Sequence, residues 1–122
     1  MNPIQAIHNR DPDALDQAFP SLEEAAAFRN EVLPSLSPAD CKWFWQQVMT
    51  PEQLERTVNA VRDVCLAIAK EMKLQPGKDY SLGCVDGLPT MVLTVNCCQR
   101  FYKRLPAERH SILRFYLQCL NN

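Results

Sequence analysis

The sequence predicts one α+β domain, mostly α, in which five to six short helices pack around a long central helix at about 51–74, with a two-stranded antiparallel β-hairpin at about 80–95. Three observations carry this prediction. Leu54, Val58, Val61, Cys65, Ile68 and Met72 recur at alternating steps of four and three, which lays one apolar seam along a helix. Asp86-Gly87 stands between two runs of alternating apolar residues, the signature of a two-residue hairpin turn. Prolines follow oxygen-bearing residues at Asp11-Pro12, Ser37-Pro38 and Thr50-Pro51, and proline suits a first helical position because its missing N–H has no partner there anyway.

Those caps open helices near 12–18, 38–49 and 51–74, and no helix is assigned before Pro12. Thr50-Pro-Glu-Gln53 is a capping box, and Ser21-Leu-Glu-Glu24 is another that opens a helix near 22–33. Asp13, Glu23, Glu24 and Glu52 all fall in first turns, where the helix dipole favours acids. After the break at Gln75-Pro-Gly-Lys78 the period changes to two. Pairing outward from Asp86-Gly87 sets Val85 opposite Leu88, Cys84 opposite Pro89, Leu82 opposite Met91 and Tyr80 opposite Leu93. One face then carries Tyr80, Leu82, Cys84, Pro89, Met91, Leu93 and Val95 and is expected to be buried. The other, with Ser81, Gly83, Thr90 and Thr94, is expected to be wetter. Pro89 has no N–H to give a further strand, so the second strand reads as an edge. Asn96 caps a helix to about Leu105, and Pro106 opens a last, nearly all-round apolar helix to about Leu120.

A chain of 122 residues, 47% apolar and 22% charged, buries a real core as a single domain over 1–122 and is neither fibrous nor disordered. Its apolar runs fall far short of the roughly 20 residues that cross a bilayer, so no membrane partner is expected. The start, MNPIQAIHNRDPDALDQ, has no charged segment followed by an apolar one, which points to a cytoplasmic location. In that compartment the six irregularly spaced cysteines read as reduced thiols.

Little reaction chemistry is visible. Glycines occur only at 77, 83 and 87, too scattered to cradle phosphate, and no HExxH, GxSxG or calcium-loop motif occurs. No catalytic residue, cofactor or metal is therefore assigned. Cys97 and Cys98 diverge by about 100° on a helix, and His8 and His110 are the only histidines, which is a poor zinc set. Cys97 is the one candidate reactive thiol, because a helix start lowers a thiol pKa and His110 is available as a base. Against it, Cys41, Cys65, Cys84, Cys98 and Cys119 fall on apolar faces, so cysteine serves here as a small core residue, and His110 reads as a solvated surface residue.

Charge is uneven: residues 1–40 hold seven acids against two bases, and residues 97–122 hold five bases against one acid. Folding the acidic front onto the basic back accounts for this, as does a charged partner. Arg-Phe-Tyr occurs twice, at 100–102 and 114–116, but on the 97–105 helix the rings turn to one side and the charges to the other. What remains outward is a phosphate- or acid-contacting patch of Arg100, Lys103 and Arg104, joined by Arg114. On the 38–49 helix, Cys41, Phe44, Trp45 and Val48 share a face, while Trp43 lies opposite beside Lys42 and Gln47 and reads as a partner anchor or as a ring covered by the N-terminal segment. The leading expectation is a small non-catalytic adaptor or inhibitor-like regulator, monomeric or homodimeric, whose partner is another protein. Weak, sequence-independent nucleic-acid binding through the 97–105 helix comes second, and a thiol-dependent enzyme using Cys97 third.

Overall fold

The computed structural model describes residues 2–93 and 98–119. The order is α1 (Pro3–His8), α2 (Pro12–Gln17), α3 (Leu22–Ala27), α4 (Pro38–Val48), α5 (Pro51–Glu71), β1 (Tyr80–Val85), β2 (Leu88–Leu93), α6 (Cys98–Arg104), α7 (His110–Tyr116) and β3 (Leu117–Cys119). The fold class is α+β and mostly α, and none of the described helices is long and apolar enough to cross a membrane.

The caps form as the sequence predicts. Asp11, Ser21, Ser37 and Thr50 accept hydrogen bonds from the amides of Ala14, Glu24, Asp40 and Gln53, and Gln53 returns a bond to the Thr50 amide. The unpredicted element is α1. Its start, Asn2-Pro-Ile-Gln5, is the same reciprocal box as Thr50-Pro-Glu-Gln53: Asn2 Oδ1 accepts from the Gln5 amide at 2.8 Å, and Gln5 Oε1 accepts from the Asn2 amide. The helix predicted over 22–33 is also modified. Pro34 has no N–H to continue the ladder, and the chain passes through a wide π turn (Phe28–Val32) and a tight 3-10 turn (Leu33–Ser35) before α4.

On α5, Leu54, Val58, Val61, Cys65 and Ile68 are buried and Met72 is half-buried, so the predicted seam is real. The helix closes with the Leu74 amide bonded to the Ala69 carbonyl and Lys73 in the left-handed region at φ 59°. This is a Schellman ending with a lysine where glycine is the usual residue.

The hairpin register is the predicted one from Tyr80↔Leu93 to Val85↔Leu88, and Asp86 and Gly87, at φ 53° and 80°, make the primed turn that matches strand twist. The sheet has three strands instead of two. Leu117–Cys119 leaves the predicted last helix and pairs parallel to β2, Met91↔Leu117 through Leu93↔Cys119, which corrects both the helix to Leu120 and the edge assignment of β2. Pro89 is tolerated because β3 starts opposite Met91, beyond the point where the missing N–H would be needed. The buried face is also only partly as expected. Tyr80, Met91 and Leu93 are buried, but Leu82 and Cys84 project beyond cover, and Thr90 on the supposedly wetter face is buried. Val95 and Thr94 lie outside the described residues, as does the predicted cap Asn96.

The centre of the fold is α7 rather than the long helix. It packs against α4, α5, β2, β3 and the turns on either side, and Ser111, Ile112, Leu113 and Tyr116 are fully enclosed. The long helix flanks β2. On α4, Cys41, Phe44 and Trp45 face the core and Val48 does not, because the helix ends at that residue in solvent.

The ending of α5 generates a prediction. A left-handed lysine is strained by about 1–2 kcal/mol, and glycine relieves this at some cost in unfolded-chain entropy. Lys73→Gly should therefore stabilise the fold by about 0.5–1 kcal/mol, read as a higher midpoint in urea. An unchanged or lower midpoint would show that the cap is not strained.

Candidate functional site

α4 carries the three candidate anchor residues, Lys42, Trp43 and Gln47. Its inward face joins an aromatic chain, Phe19 to Phe28 to Phe44 to Trp45, with successive ring centroids 5.3, 6.0 and 5.4 Å apart. The Trp45 indole N–H donates to Ser111 Oγ at 3.0 Å inside the core. Trp43, on another side, is half-buried, and the Arg10 guanidinium lies over its ring at 5.5 Å. Arg10 also donates to Asp40 Oδ1 and to the Ile7 carbonyl, so a single side chain ties α1 to α4 across Trp43. Lys42 turns elsewhere, to Asp86 Oδ2 at the hairpin turn, 2.8 Å away, and Gln47 stands in solvent. The three predicted anchor residues thus face different neighbours.

The 98–104 helix is built as its periodicity requires. Phe101 is enclosed, whereas Arg100, Lys103 and Arg104 are exposed. Arg104 pairs with Glu71 of α5. Arg114 does not join this face: its Nε and Nη2 donate to the Leu36 carbonyl at 3.1 and 3.0 Å. Among the described residues that leaves Arg100 and Lys103 as the outward cations of the patch without a carboxylate partner. Nor do the acidic and basic ends pair with each other. Among the described residues, Asp40 is paired to His8 and Arg10 within the N-terminal half, and Arg104 pairs with the long helix.

His110 is a structural donor rather than a solvated surface group. Its Nε2 lies 2.7 Å from the Tyr102 carbonyl and 3.0 Å from that of Leu105, so this nitrogen carries the proton and closes the end of α6. Cys97 lies outside the described residues. Burial pushes the Cys41 thiol up to about 11 and that of Cys65 to about 12, which makes both inert at neutral pH. Cys84 is a free, exposed thiol. Cys98 and Cys119 are joined as a disulfide between α6 and β3, with Cα atoms 6.5 Å apart, so among the described residues the expectation of reduced thiols holds for Cys41, Cys65 and Cys84 and not for this pair. Their separation in sequence carried no sign of it. Among the described residues, no group of three or more His, Cys, Asp or Glu is placed to hold a metal ion.

Two features were not legible in the sequence. The first is the outer edge of β1. In a two-residue hairpin the innermost pair, Val85 and Leu88, exchanges hydrogen bonds and bonding then alternates, so Leu82 and Cys84 direct their N–H and C=O groups away from β2. The Tyr80 backbone groups also point outward, and its carbonyl accepts from the Gly77 amide at 2.7 Å, which covers the edge there. Along the rest of this uncharged strand Leu82 is 54% and Val85 41% exposed. The second is a cavity of about 660 Å³ between the first turn of α4, the hairpin and the α7–β3 junction, with Lys42 and Arg114 in its wall.

The Arg10–Asp40 contact generates a pH prediction. Partial burial pushes Asp40 upward, but hydrogen bonds from Ser37 and Arg10 and the charges of Arg10 and His8 outweigh it, and the carboxyl sits below its ordinary 3.8. A lowered folded-state pKa stabilises fully above 3.8 and is lost as pH falls through the folded value. Asp40→Asn should cost about 1–2 kcal/mol at neutral pH, and urea titrations near pH 3 should show a smaller gap from wild type. An equal gap at both pH values would mean that the carboxylate charge contributes nothing.

No protein-family model, curated protein or solved structure matches this chain.

Proposed function

We propose that this protein is a small, non-catalytic, cytoplasmic adaptor or regulator that takes an extended segment of a partner protein onto the free edge of β1. The observation that carries the proposal is the edge at Leu82 and Cys84, unpaired among the described residues and flanked by exposed apolar side chains. Soluble proteins ordinarily blunt such an edge with charge, proline, a bulge or a covering loop, and Ser81–Val85 has none of these. Strand addition would satisfy the outward amides and carbonyls, and Leu82 and Val85, on opposite faces of the strand, would offer apolar contact to alternate partner side chains. A non-catalytic role is supported by the state of the reactive groups: His110 is held by two carbonyls, Asp40 by Arg10, and two of the thiols are buried. The two outward cations Arg100 and Lys103 would neutralise few phosphates, which weighs against nucleic acid as the partner.

The test compares affinity capture from the native host by the wild type, Leu82→Lys and Cys84→Pro, with nuclease treatment and mass spectrometry. Proline at 84 removes only an outward N–H, so the hairpin ladder survives; Leu82→Lys at its exposed site should change stability by about 0.5 kcal/mol or less, and urea unfolding must show Cys84→Pro folded. The expected outcome is a nuclease-resistant protein partner retained by wild type and lost from both variants. A partner held equally by all three chains, or released by nuclease, would overturn the proposal.

A further inference from the structure

We infer that the cavity between α4, the hairpin and the α7–β3 junction is a binding site for a small amphipathic carboxylate. It shares Val85 with β1, but neither Leu82 nor Cys84, which carry the edge proposal, lines it. Its volume, about 660 Å³, is that of an ordinary small-molecule site. Lys42 and Arg114 are in its wall, and among the described residues no aspartate or glutamate lines it.

Arg114 is the decisive residue. The residue is half-buried, and its guanidinium is bonded to a neutral acceptor, the Leu36 carbonyl, through Nε and Nη2; among the described residues no carboxylate pairs with it. A partly desolvated cation without a counter-charge is costly, and an anion entering the cavity offsets that cost. The hold of Leu36 on the fork also means that little side-chain entropy remains to be lost on binding. Lys42 is similarly available. Its partner Asp86 is mostly in solvent, its side chain 76% exposed, and such a rim pair is exchanged for a ligand carboxylate at small cost. Burial raises the pKa of the Tyr102 hydroxyl, although Arg114 beside it pulls the other way, so the hydroxyl is protonated and a further donor. Pro38 and Ala39 bring the positive end of the 11-residue α4 to the same wall.

The rest of the lining decides which anion. Val85, Leu88, Phe115 and Leu117 form apolar walls, and the cavity has no glycine-rich backbone nest of the kind that holds phosphates. A single carboxylate head with a hydrocarbon body fits these walls, and a nucleotide does not.

Isothermal titration of the full chain with decanoate, and with decanol as the uncharged control, tests the inference. Decanoate should bind saturably with one site per chain and decanol at least tenfold more weakly. Lys42→Gln should weaken decanoate three- to tenfold, and Arg114→Gln should abolish binding. Because Arg114 also holds Leu36, circular dichroism must show that variant folded. If it is not, Lys42→Gln and Phe115→Ala, each expected to weaken binding at least threefold, decide the matter. Leu82→Lys should bind decanoate like wild type, which keeps the result independent of the strand-addition proposal. Absence of saturable heat at about 1 mM decanoate, equal affinity for decanol, or undiminished binding by folded Lys42→Gln would overturn it.

Discussion

A seven-residue helix that must be covered on nearly every side is the constraint on which this fold depends. α7 encloses Ser111, Ile112, Leu113 and Tyr116 completely, and so short a helix has no stability of its own in water. Its neighbours therefore surround it: α4 on one side, α5 on another, β2 and β3 at its end, and the turns after α3 and before α7 over the remainder. The Trp45–Ser111 bond fixes α4 to its first turn, since an indole N–H sealed in the core without an acceptor would be strongly destabilising.

The same constraint creates the cavity. Arg114 of α7 carries a charge that an apolar neighbour cannot cover, and the elements around it stop short there. The Leu36 carbonyl satisfies part of the guanidinium's hydrogen-bonding capacity while leaving its charge. Lys42 reaches the same space from α4, and of the apolar walls Leu88, Phe115 and Leu117 belong to or pack against the core. The edge of β1 has a related origin. α5 packs along β2, the inner strand of the hairpin, and its cover gives out at β1, which leaves Leu82 and Cys84 exposed on a face whose inner half is core.

The groups that look reactive in the sequence are largely occupied by structure. His110 closes α6, Arg104 pairs with Glu71, and Arg10 stacks on Trp43 while holding Asp40. Each was identifiable as polar and interesting from its residue type alone. Which of them were already engaged depended on partners that lie from 5 to 33 positions away along the chain.

Local rules were enough for the parts of the fold that satisfy themselves locally. Caps at Asp11, Ser21, Ser37 and Thr50, the seam of α5, and the Asp86-Gly87 hairpin with its register were all legible, because each joins residues a few positions apart. α1 carries the same kind of local signal, a capping box of the form found at Thr50. Tertiary structure alone decided the remainder. Leu117–Cys119 continues an apolar helical pattern, and only the unpaired side of β2 draws it into a strand. Leu82 and Cys84 share the pattern of Met91 and Leu93, and only the reach of α5 determines which pair is buried. Arg114 follows the same rule: a helical wheel gives the direction of a side chain, but what lies in that direction is set by chain segments distant in sequence.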